Sequence, residues 1–235
     1  MTHRCAVLAY HKIGPPSYLG WDTWFYVAES IFSEHLRTVK KLGWTFVDAA
    51  RFLQGLNGSS PLPEKCCLLT FDDAYASTLT HALPVMKEEG CPSIVFVPAG
   101  LVGGTNVFDK DIEPDEFLCS WEQLKELEAN RCSIQSHGMM HKKQSELTPE
   151  ERHSEMLFSK KCLDDHLRNP VQMFSFPYGD NASGAGDITP SLRATGYQAA
   201  FLYHGGPFDL PDADAFAIPR IPIGPDSDIA SLLAP

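Results

Sequence analysis

Two adjacent carboxylates end an apolar run in Leu68-Leu69-Thr70-Phe71-Asp72-Asp73, and two histidines stand four residues apart in His137-Gly138-Met139-Met140-His141. Two imidazoles with one carboxylate form a donor set for a catalytic divalent metal, because three protein ligands leave a position for water or substrate. The histidines come to one side if the chain turns helically between them. A third stretch, Phe174-Ser175-Phe176-Pro177-Tyr178-Gly179, runs from an apolar segment into a tight turn. Each has a plainer reading: Asp73 as the N-cap of a helix starting near Ala74, the histidines as loop residues, and Pro177-Tyr178-Gly179 as a turn alone. What favours chemistry is shared position. All three lie at the C-terminal ends of apolar runs, where α/β folds bind ligands.

The elements that carry these residues read as buried strands alternating with helices. Short strands are read at Cys5–His11, Trp44–Val47, Cys66–Leu69, Ser93–Pro98, Cys132–Ser136, Val171–Phe176, Tyr197–Tyr203 and Phe216–Ile223, and Cys66–Leu69 carries no polar alternation, as in a parallel sheet covered on both faces. Helices are expected over Ser33–Leu42, stopped by Gly43, and from about Ala74 to Glu89, kinked at Pro84. Further starts are the capping-box pattern at Ser120, the stronger Thr148-Pro149-Glu150-Glu151 pattern whose helix runs to about Arg168, and Thr189-Pro190, stopped by Gly196. Repeated strand–helix units give a parallel sheet or a closed barrel, in one domain spanning 1–235. A Pro/Gly-rich loop lies at Gly14–Gly20, and the long Gly100–Leu118 loop is read as a lid or binding segment.

The net charge of −11 and pI near 5.2 argue against nucleic acid or an anionic membrane as main partner, and favour a neutral or cationic substrate. Seven cysteines without C-x-x-C spacing read as buried apolar residues and single thiols, which suits a reducing compartment. No apolar signal core or membrane span is legible, so a cytoplasmic protein with no membrane span is expected. His35, His81, His153 and His166 fall on expected helices and read as surface groups.

Taken in order, Thr70–Asp73, Ser136–His141 and Phe174–Gly179 resemble the motifs of the polysaccharide deacetylase family, which removes N-acetyl groups from chitin, peptidoglycan and poly-N-acetylglucosamine. Val7-Leu8-Ala9-Tyr10-His11 and Ile218-Pro219-Arg220-Ile221-Pro222 are similar to its poly-N-acetylglucosamine branch. The resemblance implies an α/β fold, a distorted (β/α) barrel of seven or eight parallel strands. It implies Asp72 as general base, Asp73, His137 and His141 as ligands of a divalent metal, with zinc expected, and an N-acetylated sugar or oligosaccharide as substrate. Pro177 and Tyr178 would meet the substrate, with the Tyr178 N–H holding the oxyanion.

Departures accompany it. Gly138 replaces a frequent Ser or Thr, Ala74 replaces the usual glycine, and Ser175 stands where an arginine often precedes the turn. The late motif that supplies the general acid is missing, leaving His11 and His204 as replacements. Arg220, an arginine inside an apolar strand, is expected to pair with Asp72 and keep it ionised, against an edge-strand surface role or a partner among the acids of Asp209–Asp214. Relief of carboxylate crowding would make Asp72→Asn more stable than the native chain. Two other readings stand beside this one: a carbon–nitrogen hydrolase acting on a small metabolite, and a non-catalytic metal- or sugar-binding module.

Overall fold

Alternation along the strands divides the buried side chains between two faces, and that division builds the site. The computed structural model describes residues 3–16, 21 and 23–234; Met1, Thr2 and part of the Gly14–Gly20 loop lie outside the described residues. Strand β1 (His3–Tyr10) leads through a short β2 (Lys12–Ile13) and β3 (Tyr26–Val27) to helix α1 (Glu29–Lys41). Next come β4 (Thr45–Phe46), α2 (Ala49–Leu56), β5 (Lys65–Phe71), α3 (Leu83–Glu89), β6 (Ser93–Val97), α4 (Trp121–Ala129) and β7 (Cys132–Ser136). The chain ends through α5 (Pro149–His166), β8 (Met173–Ser175), α6 (Thr189–Ala194), β9 (Ala199–Phe201), β10 (Phe208–Leu210), β11 (Ile221–Pro222) and α7 (Ile229–Leu232).

Strands β1, β5, β6, β7, β8 and β9 lie side by side in parallel, with β10 antiparallel on the far edge of β1. The sheet curls until the last segment spans its two ends: Ile218 bridges Phe201 of β9, and β11 pairs with Leu8 and Ala9 of β1. The result is the distorted (β/α) barrel expected from the sequence. Cys67, Leu69 and Phe71 of β5 face the helices, whereas Cys66 and Leu68 pack inside the curl with Val7, Ile94, Phe96, Met173 and Phe201. Helix α2, which the sequence reading missed, presents Phe52 and Leu53 to this inner cluster, and Phe52 packs on Phe201. Its start is set by Asp48, whose side chain accepts from the Arg51 N–H.

Both expected capping boxes form, at Ser120 with Gln123 and at Thr148 with Glu151. Two expectations fail locally. Asp73 caps nothing: its φ is 68°, that of Ala74 is 56°, and helical winding begins at Ala76 and passes through a π-helical stretch (Thr78–Ala82) into α3. Pro84 lies inside this continuous run, where the π-helical stretch passes into α3, so its missing N–H falls where the helical hydrogen-bond ladder already shifts. His35, expected on the surface, is buried and bonded to the Tyr10 hydroxyl at 3.1 Å. No helix among the described residues is long and apolar enough to cross a membrane.

Candidate active site

Strand β5 delivers the two carboxylates because its ladder with β1 runs on past its last residue, the Asp72 N–H donating to the Tyr10 carbonyl at 2.9 Å. The left-handed backbone at Asp73 and Ala74 then turns the chain at once, so the adjacent side chains part. Such geometry costs a non-glycine residue about 1 kcal/mol or more, and it is held here by full burial of both residues. The carboxyl of Asp72 meets Arg220, and that of Asp73 meets the histidines.

The histidines converge without a helical turn. His137 follows β7 in register, its N–H bonded to the Val97 carbonyl, and Gly138 at φ 79° and His141 at φ 54° fold the chain back. Gly138 needs that conformation, and a Cβ there would lie 3.2 Å from a Glu155 carboxylate oxygen. That oxygen accepts the N–H groups of Met139 and Met140 at 2.8 and 2.9 Å, which fixes the loop between the two rings. The Ser175 carbonyl lies 2.8 Å from His137 Nδ1 and can only accept, so Nδ1 carries the hydrogen and Nε2 offers its lone pair inward.

Asp73 Oδ1 lies 3.1 Å from His141 Nε2 and 3.6 Å from His137 Nε2, and all three residues are buried. Ligands about 2.1 Å from a tetrahedral metal stand roughly 3.4 Å apart, so the donors have the spacing of a metal site. Asp73 Oδ1 is otherwise a buried oxygen without a hydrogen-bond partner, which an ion would satisfy. Burial opposes ionisation of Asp73, but the neighbouring histidines outweigh it and hold the carboxyl well below its usual range. Burial lowers His137 to about 4 against the pull of Asp72, so it is neutral and able to ligate at pH 7.

Arg220 has no exposed surface. Its Nη1 and Nη2 each donate to an Asp72 oxygen at 2.7 Å, Nη2 also to Ser175 Oγ at 2.8 Å, Nη1 to Thr70 Oγ1 at 3.4 Å, and Nε to the Leu202 carbonyl at 2.6 Å. The small Ser175 side chain thus shares its space with a guanidinium brought from the far end of the chain. Burial alone would raise the Asp72 pKa, but Arg220, then His137, reverse this and hold the carboxyl below its ordinary value.

These groups open into a cavity of about 330 Å³ lined also by His11, Phe25, Tyr75, Asp109, Glu113, Tyr178 and Tyr203. His11 Nε2 lies 3.8 Å from Asp73 Oδ2, and its ring packs against Phe25 and Tyr203. Tyr178, at φ 58°, sets its ring edge-on to His141. Pro177 is buried beneath this turn and does not line the cavity. His204 is a correction: its side chain is exposed and outside the cavity, and only its carbonyl takes part, accepting from the Arg220 N–H. Beyond the ring-bearing Phe25, Tyr75 and Tyr203, the sequence also does not mark the residues that the Gly100–Leu118 loop brings to the site. Phe108 stacks on His141 at 3.9 Å, and Asp109 is pushed up to about 6 by burial and by the charge of Asp73. Only the unusual length of that loop signalled them.

Residues 59–200 match the family described as polysaccharide deacetylase. The chain belongs to the polysaccharide deacetylase family. Relatives are named N-deacetylases, which are hydrolases acting on carbon–nitrogen bonds other than peptide bonds, and the expected enzyme class stands. YxkH of Bacillus subtilis (strain 168), classed by its name among polysaccharide deacetylases, is 26% identical over 222 residues, 94% of this chain and 72% of that protein. The poly-beta-1,6-N-acetyl-D-glucosamine N-deacetylase of Escherichia coli (strain K12) is 26% identical over 228 residues, which cover 83% of this chain and 33% of that longer protein. Among solved structures, IcaB from Ammonifex degensii superposes with a TM-score of 0.81 at 27% identity, covering 99% of this chain and 98% of that one.

Proposed function

We propose that this protein is a metal-dependent N-deacetylase of poly-N-acetylglucosamine or a closely related N-acetylated saccharide. The observation that carries this reading is the buried, otherwise unpartnered Asp73 oxygen facing two inward imidazole nitrogens, beside a separate carboxylate fixed by Arg220. Asp73, His137 and His141 would hold a divalent metal, with zinc best suited to two nitrogens and one oxygen. When bound, the metal polarises the acyl carbonyl and acidifies water.

Asp72 is the general base. It is ionised at neutral pH, kept so by Arg220, and its Oδ2 lies 4.0 Å from His137 Nε2, close enough to take a proton from water beside the metal donors. The Tyr178 N–H, on its left-handed turn, steadies the negative charge that develops on the acyl oxygen. His11, 3.8 Å from Asp73 Oδ2, would pass a proton to the leaving sugar amine; burial lowers its pKa, so it must first take up that proton, which the water deprotonated by Asp72 supplies to the site. Phe25, Tyr203 and Tyr178 supply ring surface against a pyranose.

The cytoplasmic location inferred from cysteine usage belongs to the same proposal. The E. coli relative's name supports a β-1,6-linked substrate. Acetate release from β-1,6-linked N-acetylglucosamine oligomers, compared with β-1,4-linked oligomers and the free monosaccharide, tests it. Faster release from the β-1,6 oligomers is expected. Equal or better turnover of the monosaccharide would point to a small-metabolite amide hydrolase.

A further inference from the structure

Lys12 follows the cavity residue His11 yet is one of the largest fully buried side chains, 1% exposed. A buried ammonium is costly unless it is paired. Its Nζ donates to Glu113 Oε2 at 2.7 Å, and the same oxygen accepts the Thr23 hydroxyl at 2.7 Å. Two ring faces enclose the charge, Tyr26 at 4.6 Å and Tyr75 at 4.7 Å from their centroids.

Glu113 belongs to the loop that forms one wall of the cavity. The loop is fastened nearby by the Tyr26 hydroxyl, which donates to Glu116 Oε1, and by Asn106, which bonds both the Pro114 carbonyl and the Glu116 N–H. Between these fastenings it carries Phe108 onto His141 and places Asp109 and Ile112 on the cavity wall. Across the cavity the Tyr178 hydroxyl donates to the Phe108 carbonyl at 3.3 Å, and at the base of the loop the Phe117 carbonyl accepts the Ala76 N–H at 2.9 Å. Most of this loop is half-buried or exposed, with Val107 and Ile112 at 58% and 71% exposure, so apolar burial does little to hold it.

We propose that Lys12 is a positioning residue: its ion pair with Glu113 fixes the 105–117 loop over the metal donors and thereby sets the shape of the saccharide cavity. This rests on reading the cavity as the substrate site. Lys12 touches no reacting atom in this account. It acts through Glu113 on Phe108, Asp109 and Ile112, and so on substrate binding more than on the chemical step.

The test combines hydrogen exchange with steady-state kinetics on the full chain. Lys12→Met should raise amide exchange across 105–117 by about tenfold or more while β5 and β7 keep their protection. KM for the saccharide should rise by about tenfold with a much smaller change in kcat, and metal content should be unchanged. Thr23→Val, which removes one bond to the same Glu113 oxygen and preserves shape, should move exchange and KM in the same direction by less. It also keeps the question open to measurement if Lys12→Met fails to fold. If Lys12 serves only the β2–β3 pair, exchange accelerates at 12–13 and 26–27 while 105–117 stays protected and KM is unchanged, which overturns the proposal. The exchange result decides this even if the native enzyme releases no acetate, in which case the functional reading alone fails.

Discussion

Arg220 and Asp72, 148 residues apart in sequence, are joined by two parallel hydrogen bonds of 2.7 Å inside the curled sheet. The guanidinium also lies over the Phe96 and Tyr203 rings. Every N–H direction of Arg220 is therefore met, and one of its partners is the carboxylate assigned to remove a proton.

Replacing Arg220 by Met should expose this dependence. Arg220 is the largest influence lowering the Asp72 pKa, so its loss leaves only His137 and His11 against burial and the pKa rises. The acidic limb of the pH–rate profile moves to higher pH, turnover at neutral pH falls by about tenfold or more, and metal content stays normal. An unmoved profile with near-native turnover would remove Arg220 from the base's support.

Asp72→Asn should keep the metal and lose turnover, because the amide preserves shape but accepts no proton. The stabilisation expected from relieving carboxylate crowding does not fit the structure: the substitution leaves the Arg220 charge buried without its counter-ion, at a cost on the order of 3 kcal/mol. Thermal unfolding monitored by circular dichroism checks this, and a rise in Tm would contradict it.

Glu155 holds the loop between the two histidines through the Met139 and Met140 N–H groups. Glu155→Ala should weaken metal binding by about tenfold or more without removing any ligand. Competition with a chelator of known affinity measures it, and native affinity would show that the loop keeps its form unaided.

The metal-free protein should lose stability as pH falls from about 6.5 towards about 4. His137 is held near 4 in the fold, below the ordinary 6.5, so over that window the unfolded chain binds the proton first and unfolding gains. Burial also lowers His11, which adds in the same direction. The melting temperature of metal-free protein at pH 7 and pH 5 is the check. No fall between them would mean that the ring is not buried neutral.

The strand-end residues were legible because a parallel strand buried on both faces has a local signature, and Asp72, Asp73 and His137 each follow one. The turns beyond were not legible. Asp73, Ala74 and His141 adopt left-handed backbone that propensity disfavours and only tertiary burial sustains, so the sequence suggested a capped helix and a helical turn instead. Arg220 stood out because a charge inside an apolar strand demands a partner. His204, also at a strand end, carried no such demand, and the structure turns it outward. Phe108, Asp109 and Glu113 follow no period, and their places depend on contacts with His141 and Lys12 that no local pattern encodes.

The central claim is that Asp73, His137 and His141 bind the metal on which deacetylation depends. The most direct measurement is a titration of chelator-stripped protein with zinc, following bound metal and acetate release from N-acetylglucosamine oligomers together. The stripped enzyme should release no acetate, recovery should be complete at one metal per chain, and Asp73→Ala and His141→Ala should show neither binding nor recovery. Full activity in the stripped enzyme, or native metal content in both variants, would contradict it.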